Sequence, residues 1–152
     1  MNNENLTRRS FMAAASIGAL TLTLAPFAAE ATPHQVLDAI GKVIGERAPK
    51  EGRVSIVLPE IAENGGVVPL KVAVDSPMTA ADFVKSVHLF ADGNPLPEIA
   101  NYHFGPDNGK AEFALRIRLA KTQKIVAVAE MSDGQVFMAR REVKVTLGGC
   151  GG

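Results

Sequence analysis

The chain has a single cysteine, Cys150, set in the closing stretch VKVTLGGCGG with two glycines on each side. With no second cysteine an internal disulfide is excluded, and one thiol cannot by itself make a Cys-based zinc site. Catalysis is poorly served as well. A thiol of ordinary pKa, ~8.5, is only slightly ionised at neutral pH, and the nearest charge, the α-carboxylate two residues on, raises that pKa. A nucleophilic cysteine also needs a fixed base and an oxyanion site, and a glycine tail holds neither. No catalytic residue is assigned to this chain. Carriage fits better. Glycine has nothing to pack and the most backbone entropy to lose, so Gly148, Gly149, Gly151 and Gly152 are expected to keep Cys150 on a mobile arm. Order is expected to end at Gly148, with Leu147 the last residue anchored in the core. Three residues beyond Leu147, the thiol reaches ~10 Å at ~3.3–3.6 Å per residue. Such an arm is also slim enough to enter a narrow channel in another protein. A bulky residue at Gly149 or Gly151 is therefore expected to impair processing and leave stability unchanged.

The remaining chemistry-bearing residues read more plainly. His34, His88 and His103 lie in a helix-like segment and two separate strand-like runs, which favours surface or hydrogen-bonded histidines over a metal site. Asp107 and Asn108 stand between glycines but lack the alternating acidic ladder of a calcium loop, so a plain turn is expected. Met78, Met131 and Met138 read as core filler. No metal and no cofactor are expected.

Whatever presents that thiol is built from the rest of the chain. The sequence is 47% hydrophobic, with 16 basic and 16 acidic residues interspersed, and suits one domain with no nucleic-acid footprint. The start, LTRRSFMAAASIGALTLTLAPFAAEA, joins Arg8 and Arg9 to a moderately apolar stretch and a small-x-small site at Ala29 and Ala31. It resembles a twin-arginine (Tat) export signal over residues 1–31, with Met12 and Ala13 where Leu and Lys are commoner. The mature chain is expected in the periplasm, with no membrane-spanning segment. Thr32 and Pro33 open a short amphipathic helix over about 33–47, carrying Val36, Leu37, Ile40, Val43 and Ile44 on one face. The period then becomes two. Runs at 54–58, 68–74, 84–91, 99–104, 111–119, 124–131 and 135–147 alternate with turn signals such as Glu63-Asn64-Gly65-Gly66 and Asp92-Gly93-Asn94-Pro95. Pro69 favours a sheet edge. Arg141 interrupts the apolar face of the last run, as a sheet rim or subunit contact would. The pattern predicts an all-β fold: an antiparallel immunoglobulin-like sandwich of about seven strands over 32–147, preceded by one helix and followed by the tail 148–152.

The terminal GGCGG after a strand ending VKVTL, on an exported sandwich, resembles the SoxY family of the bacterial sulfur-oxidising (Sox) system. The resemblance implies that Cys150 is the covalent attachment site for sulfur and that the four glycines form a swinging arm. It implies partners as well: a second sandwich subunit, SoxZ, forming a heterodimer; a c-type haem protein that conjugates thiosulfate; a sulfate thiohydrolase; and a sulfur dehydrogenase. SoxZ normally lacks an export signal, which suits the Tat route, since that route moves folded complexes.

Two other functions are compatible with a tail of this kind. A sandwich module could tether a partner through an intermolecular disulfide at Cys150. A terminal diglycine also resembles thiocarboxylate sulfur carriers, but their activation requires cytosolic ATP, and an export signal argues against it.

Overall fold

The computed structural model describes residues 33–149, with Pro33 by its backbone alone. The export signal with Arg8 and Arg9, the N-cap position Thr32, and Cys150, Gly151 and Gly152 lie outside the described residues. Among the described residues one α-helix, α1 (Pro33–Ile44), precedes eight strands: β1 (Val54–Val57), β2 (Ile61–Asn64), β3 (Val68–Val74), β4 (Val84–Ala91), β5 (Glu98–His103), β6 (Ala111–Ile117), β7 (Gln123–Met131) and β8 (Val136–Leu147). They form a three-stranded sheet, β1-β3-β6, and a five-stranded sheet, β2-β8-β7-β4-β5. All pairings are antiparallel except β2 with β8.

The two sheets bury one core. Alternation in β3 points Val68, Leu70, Val72 and Val74 inward, where they meet Val84, Val87 and Leu89 of β4 and Ile125, Ala127 and Ala129 of β7. Met78 and Met131 belong to this core. The opposite face of the larger sheet carries a second, smaller core. Val36, Ile40 and Ile44 of α1 pack there on Phe90, Val126, Val128 and Val136, with Met138 beside them. Strands β4 and β7 are consequently buried on both faces, which explains why they read as nearly continuous apolar runs.

Several expectations are corrected. The helix ends at Ile44 rather than near residue 47, because Gly45 turns left-handed (φ 61°) and returns its N–H to the Gly41 carbonyl at 2.8 Å. Leu37 faces solvent, 58% exposed, and is not part of the packed stripe. Arg47 then secures the helix end. Its Nε and Nη2 donate to the Ile44 and Val43 carbonyls at 2.7 and 2.9 Å, and its Nη1 pairs with Glu130 of β7 at 2.7 Å. That guanidinium holds the Glu130 carboxyl below its usual range, chiefly through the hydrogen bond.

The all-β sandwich is as expected, with eight strands among the described residues where the sequence reads about seven. The additional one, β2, occupies part of the segment read as a turn, and its parallel pairing departs from the all-antiparallel expectation. Pro69 lies in the central strand of the smaller sheet. However, β1 pairs no further than Val57 with Lys71, so at Pro69 the β1 side is locally an edge. Arg141 is exposed on β8, opposite Ile125, and interrupts the buried face as expected.

Candidate functional site: the root of the C-terminal tail

Strand β8 is held in three successive ways as it approaches the tail. Up to Val143 it pairs with β7, and Val143 is fully buried. Beyond that point β2 takes over on one side, in the register Ile61 with Lys144, Ala62 with Val145 and Asn64 with Leu147. On the other side the 119–122 loop closes in, where Thr122 Oγ1 accepts the Val145 N–H at 3.0 Å. Core contact fades along this stretch: Val145 is half-buried and Leu147 is 68% exposed. Leu147 is therefore not the side-chain anchor expected of it. What fixes the end of β8 is its backbone.

Three backbone hydrogen bonds tie that backbone to two other segments. Gly65 N–H donates to the Leu147 carbonyl at 2.7 Å, Leu119 N–H to the Gly65 carbonyl at 2.8 Å, and Gly149 N–H to the Leu119 carbonyl at 2.9 Å. Leu119 is itself fully buried, so this seat is fastened to the main core. The segments approach so closely that side chains are excluded. A Cβ on Gly148 would collide with the Ala120 carbonyl oxygen, one on Gly149 with the Gly65–Gly66 peptide, and one on Gly65 with the Leu119 carbonyl oxygen. Order accordingly does not end at Gly148, as the sequence suggests. Gly148 and Gly149 are needed here for close approach, a different property of the residue from backbone freedom.

A polar cluster behind the seat fixes the loop that forms its far wall. Asn94 Nδ2 donates to the Arg118 carbonyl at 2.8 Å, and its Oδ1 accepts the Ala120 N–H at 3.0 Å, clamping the residues on both sides of Leu119. Buried Gln123 donates from Nε2 to Asn94 Oδ1 at 2.9 Å and to the Lys121 carbonyl at 3.1 Å, while its Oε1 accepts the Gly93 N–H at 2.8 Å. In the sequence Gly65 and Asn94 read only as turn residues, and Leu119, Ala120 and Gln123 carry no functional signal. The signal available was the doubled glycine at Gly65-Gly66, more than an ordinary turn requires.

The other candidates are distributed as follows. His34 lies on the exposed side of α1, 3.1 Å from Asp38. His88 and His103 do come near one another, because β4 and β5 pair and Ser86 stands opposite His103. His88 is buried, with Nε2 3.2 Å from Ser86 Oγ, its ring stacked on Phe90, and Nδ1 without a partner among the described residues. Burial lowers its pKa and so favours the neutral ring. Among the described residues no group of three or more His, Cys, Asp or Glu side chains could hold a metal ion. Pro106–Asn108 is a single 3-10 turn in which Asn108 Oδ1 accepts the Gly105 N–H at 2.7 Å. Met78 Sδ accepts the Val84 N–H at 3.5 Å within the core. A groove of about 850 Å³ on the outside of the smaller sheet is lined by apolar residues such as Val57, Pro59, Pro69 and Ala114, with Lys71 and Arg116 its charged members. Among the described residues no helix is long and apolar enough to cross a membrane.

The described residues form a β-sandwich whose last strand is led through a glycine-lined seat toward the chain's only cysteine. A family model described as sulfur oxidation protein SoxY matches residues 40–150, and the chain belongs to that family. As such it is a sulfur carrier subunit of sulfur oxidation rather than a catalyst. The sulfur carrier protein SoxY from Chlorobium limicola f thiosulfatophilum superposes with a TM-score of 0.64 at 36% identity, covering 75% of this chain and 98% of that one. A superoxide reductase (neelaredoxin) from Ignicoccus hospitalis shares the fold at 23% identity and a TM-score of 0.51, over 76% of this chain and 94% of its own. Among curated proteins none matches the chain.

Proposed function

We propose that this chain carries thiosulfate-derived sulfur on Cys150 and presents it to enzymes in the periplasm, having been exported by the twin-arginine route that Arg8 and Arg9 direct. The observation that carries the reading is the delivery of the backbone out of the sandwich at Gly149, one residue before the sole thiol, by a seat that only glycines can form. The covalent cycle balances with two external activities. Joining the terminal sulfur of thiosulfate to Cys150 Sγ releases the thiol proton and an electron pair, which a c-type haem protein accepts. Water then attacks the sulfonate sulfur under a sulfate thiohydrolase, sulfate leaves with release of one proton, and a persulfide (S–SH) stays on Cys150. A sulfur dehydrogenase, where present, oxidises that remaining sulfur. The chain pairs with a SoxZ-like sandwich subunit in this scheme and needs no cofactor of its own.

The competing reading is a disulfide tether. Mass spectrometry of the protein taken from the periplasmic fraction of cells grown on thiosulfate distinguishes the two. The carrier reading expects sulfur, sulfite or thiosulfate mass on the Cys150 peptide. A disulfide to one partner protein and no such adducts would replace it with the tether.

A further inference from the structure

The seat has a consequence for how far the thiol can travel. With Gly149 bound to Leu119, the backbone is held up to one residue before Cys150, and the tether left between that point and position 150 is a single virtual bond, ~3.8 Å for a trans peptide. Were Gly148 and Gly149 free, the same thiol would hang three residues from Leu147 and reach ~10 Å. Only the Gly149 N–H to Leu119 hydrogen bond and the glycine contacts separate the two arrangements. The Gly65 N–H to Leu147 bond and the β2–β8 register hold β8 in either case. The rest of the apparatus is disproportionate to a disposable tail. Asn94 bonds both residues flanking Leu119, buried Gln123 braces Asn94, and Gly65 has no room for a side chain.

We propose that this seat is a latch that gives the arm two lengths, a short one with Gly149 bound to Leu119 and a long one with Gly148 and Gly149 released, and that Gly65 and Asn94 are positioning residues that set the short state. The proposal rests on the carrier reading for its purpose, but its physical content is independent of any sulfur chemistry. In the short state the thiol stays beside the sandwich, and a partner with a deep channel must draw two glycines out of the seat to take the cargo in. The released glycines then fit where they could not if they bore side chains.

Amide hydrogen exchange followed by NMR on the full-length mature protein, without partners or thiosulfate, tests this. The Gly149 amide is expected to exchange at least about tenfold more slowly than an unstructured glycine, because it is bonded in the seat. Asn94→Ala and Gly65→Ala should each remove most of that protection, while core amides such as Val128 and Ala129 keep theirs. A nitroxide attached at Cys150 should become more mobile in both variants. An unprotected Gly149 amide in the parent would overturn the latch outright. Protection that survives Asn94→Ala, or that falls only in step with the core amides, would overturn the positioning role. Should Gly65→Ala fail to fold, the parent and Asn94→Ala decide the matter alone. A protected Gly149 in a protein that never acquires sulfur adducts would leave the latch standing and remove the carrier reading, so the two fail separately.

Discussion

Cys150→Ser is expected to fold and to bind its partner subunit as the parent does, yet to support no sulfur-dependent turnover when reconstituted with thiosulfate and the processing enzymes. The structure explains why the fold is kept. The two cores are built from other residues, and the seat from the backbones of Gly65, Leu119, Leu147 and Gly149, so the exchange of one small side chain for another at position 150 is expected to leave the fold intact. The second half follows from the chemistry of the chain. Serine offers a hydroxyl that cannot form the sulfur–sulfur bond, and there is no other cysteine to substitute for it. The effect on turnover should therefore be total. Steady-state thiosulfate consumption, with circular dichroism and partner-binding controls, checks it; retained turnover in the serine variant would remove Cys150 from the mechanism.

Gly149→Phe has the next largest expected effect, and here structure and sequence part company. A solvated tail would tolerate the change with no loss of stability. In the seat, the first side-chain atom already meets the Gly65–Gly66 peptide, and no rotamer relieves a clash made at Cβ. Two outcomes are available to the chain. Either the seat opens and its hydrogen bond is lost, or the strain is kept, at a cost of about 1–3 kcal/mol as for other overpacked sites. Turnover by the partner enzymes should fall severely in either case, since the bulky residue also thickens the arm. Gly151→Phe is the companion measurement: it lies beyond the seat and should lower turnover while leaving the thermal midpoint of the parent intact. Equal midpoints for the parent and Gly149→Phe would show that the seat carries no stability.

The contrast between those two variants marks where the sequence stops being readable. The choice of Cys150 as the candidate attachment site is legible from composition and position, because it is the one thiol in the sequence and glycines flank it on both sides. The sandwich is legible wherever one face of a strand is wet, as in β3, where Pro69 and Lys71 alternate with Val68, Leu70 and Val72. It blurs where both faces are covered. Strands β4 and β7 lie between the main core and α1, so their alternation is lost, although their length still identifies them. Strand β2 is illegible in the sequence for a different reason. Of its residues only Ala62 points inward, Ile61 is 60% exposed, and the following Asn64-Gly65-Gly66 carries every mark of a turn. Its pairing comes from the far end of the chain, which no local pattern records. The same holds for the tail. Glycine is chosen both where a chain must move and where it must be approached closely, and a sequence does not say which. Gly148 and Gly149 are of the second kind because Leu119, Ala120 and Gly65 happen to converge on them, from positions about thirty and eighty residues away.

The most direct measurement follows the sulfur itself. Thiosulfate labelled isotopically in its terminal, sulfane sulfur is supplied to the protein with a c-type haem conjugating enzyme, a sulfate thiohydrolase is added, and the Cys150 peptide and the released sulfate are analysed by mass spectrometry. The account predicts that the label stays on Cys150 as a persulfide while the sulfate leaves unlabelled. Label appearing in the sulfate of that step, or a Cys150 peptide that is never modified, would contradict it.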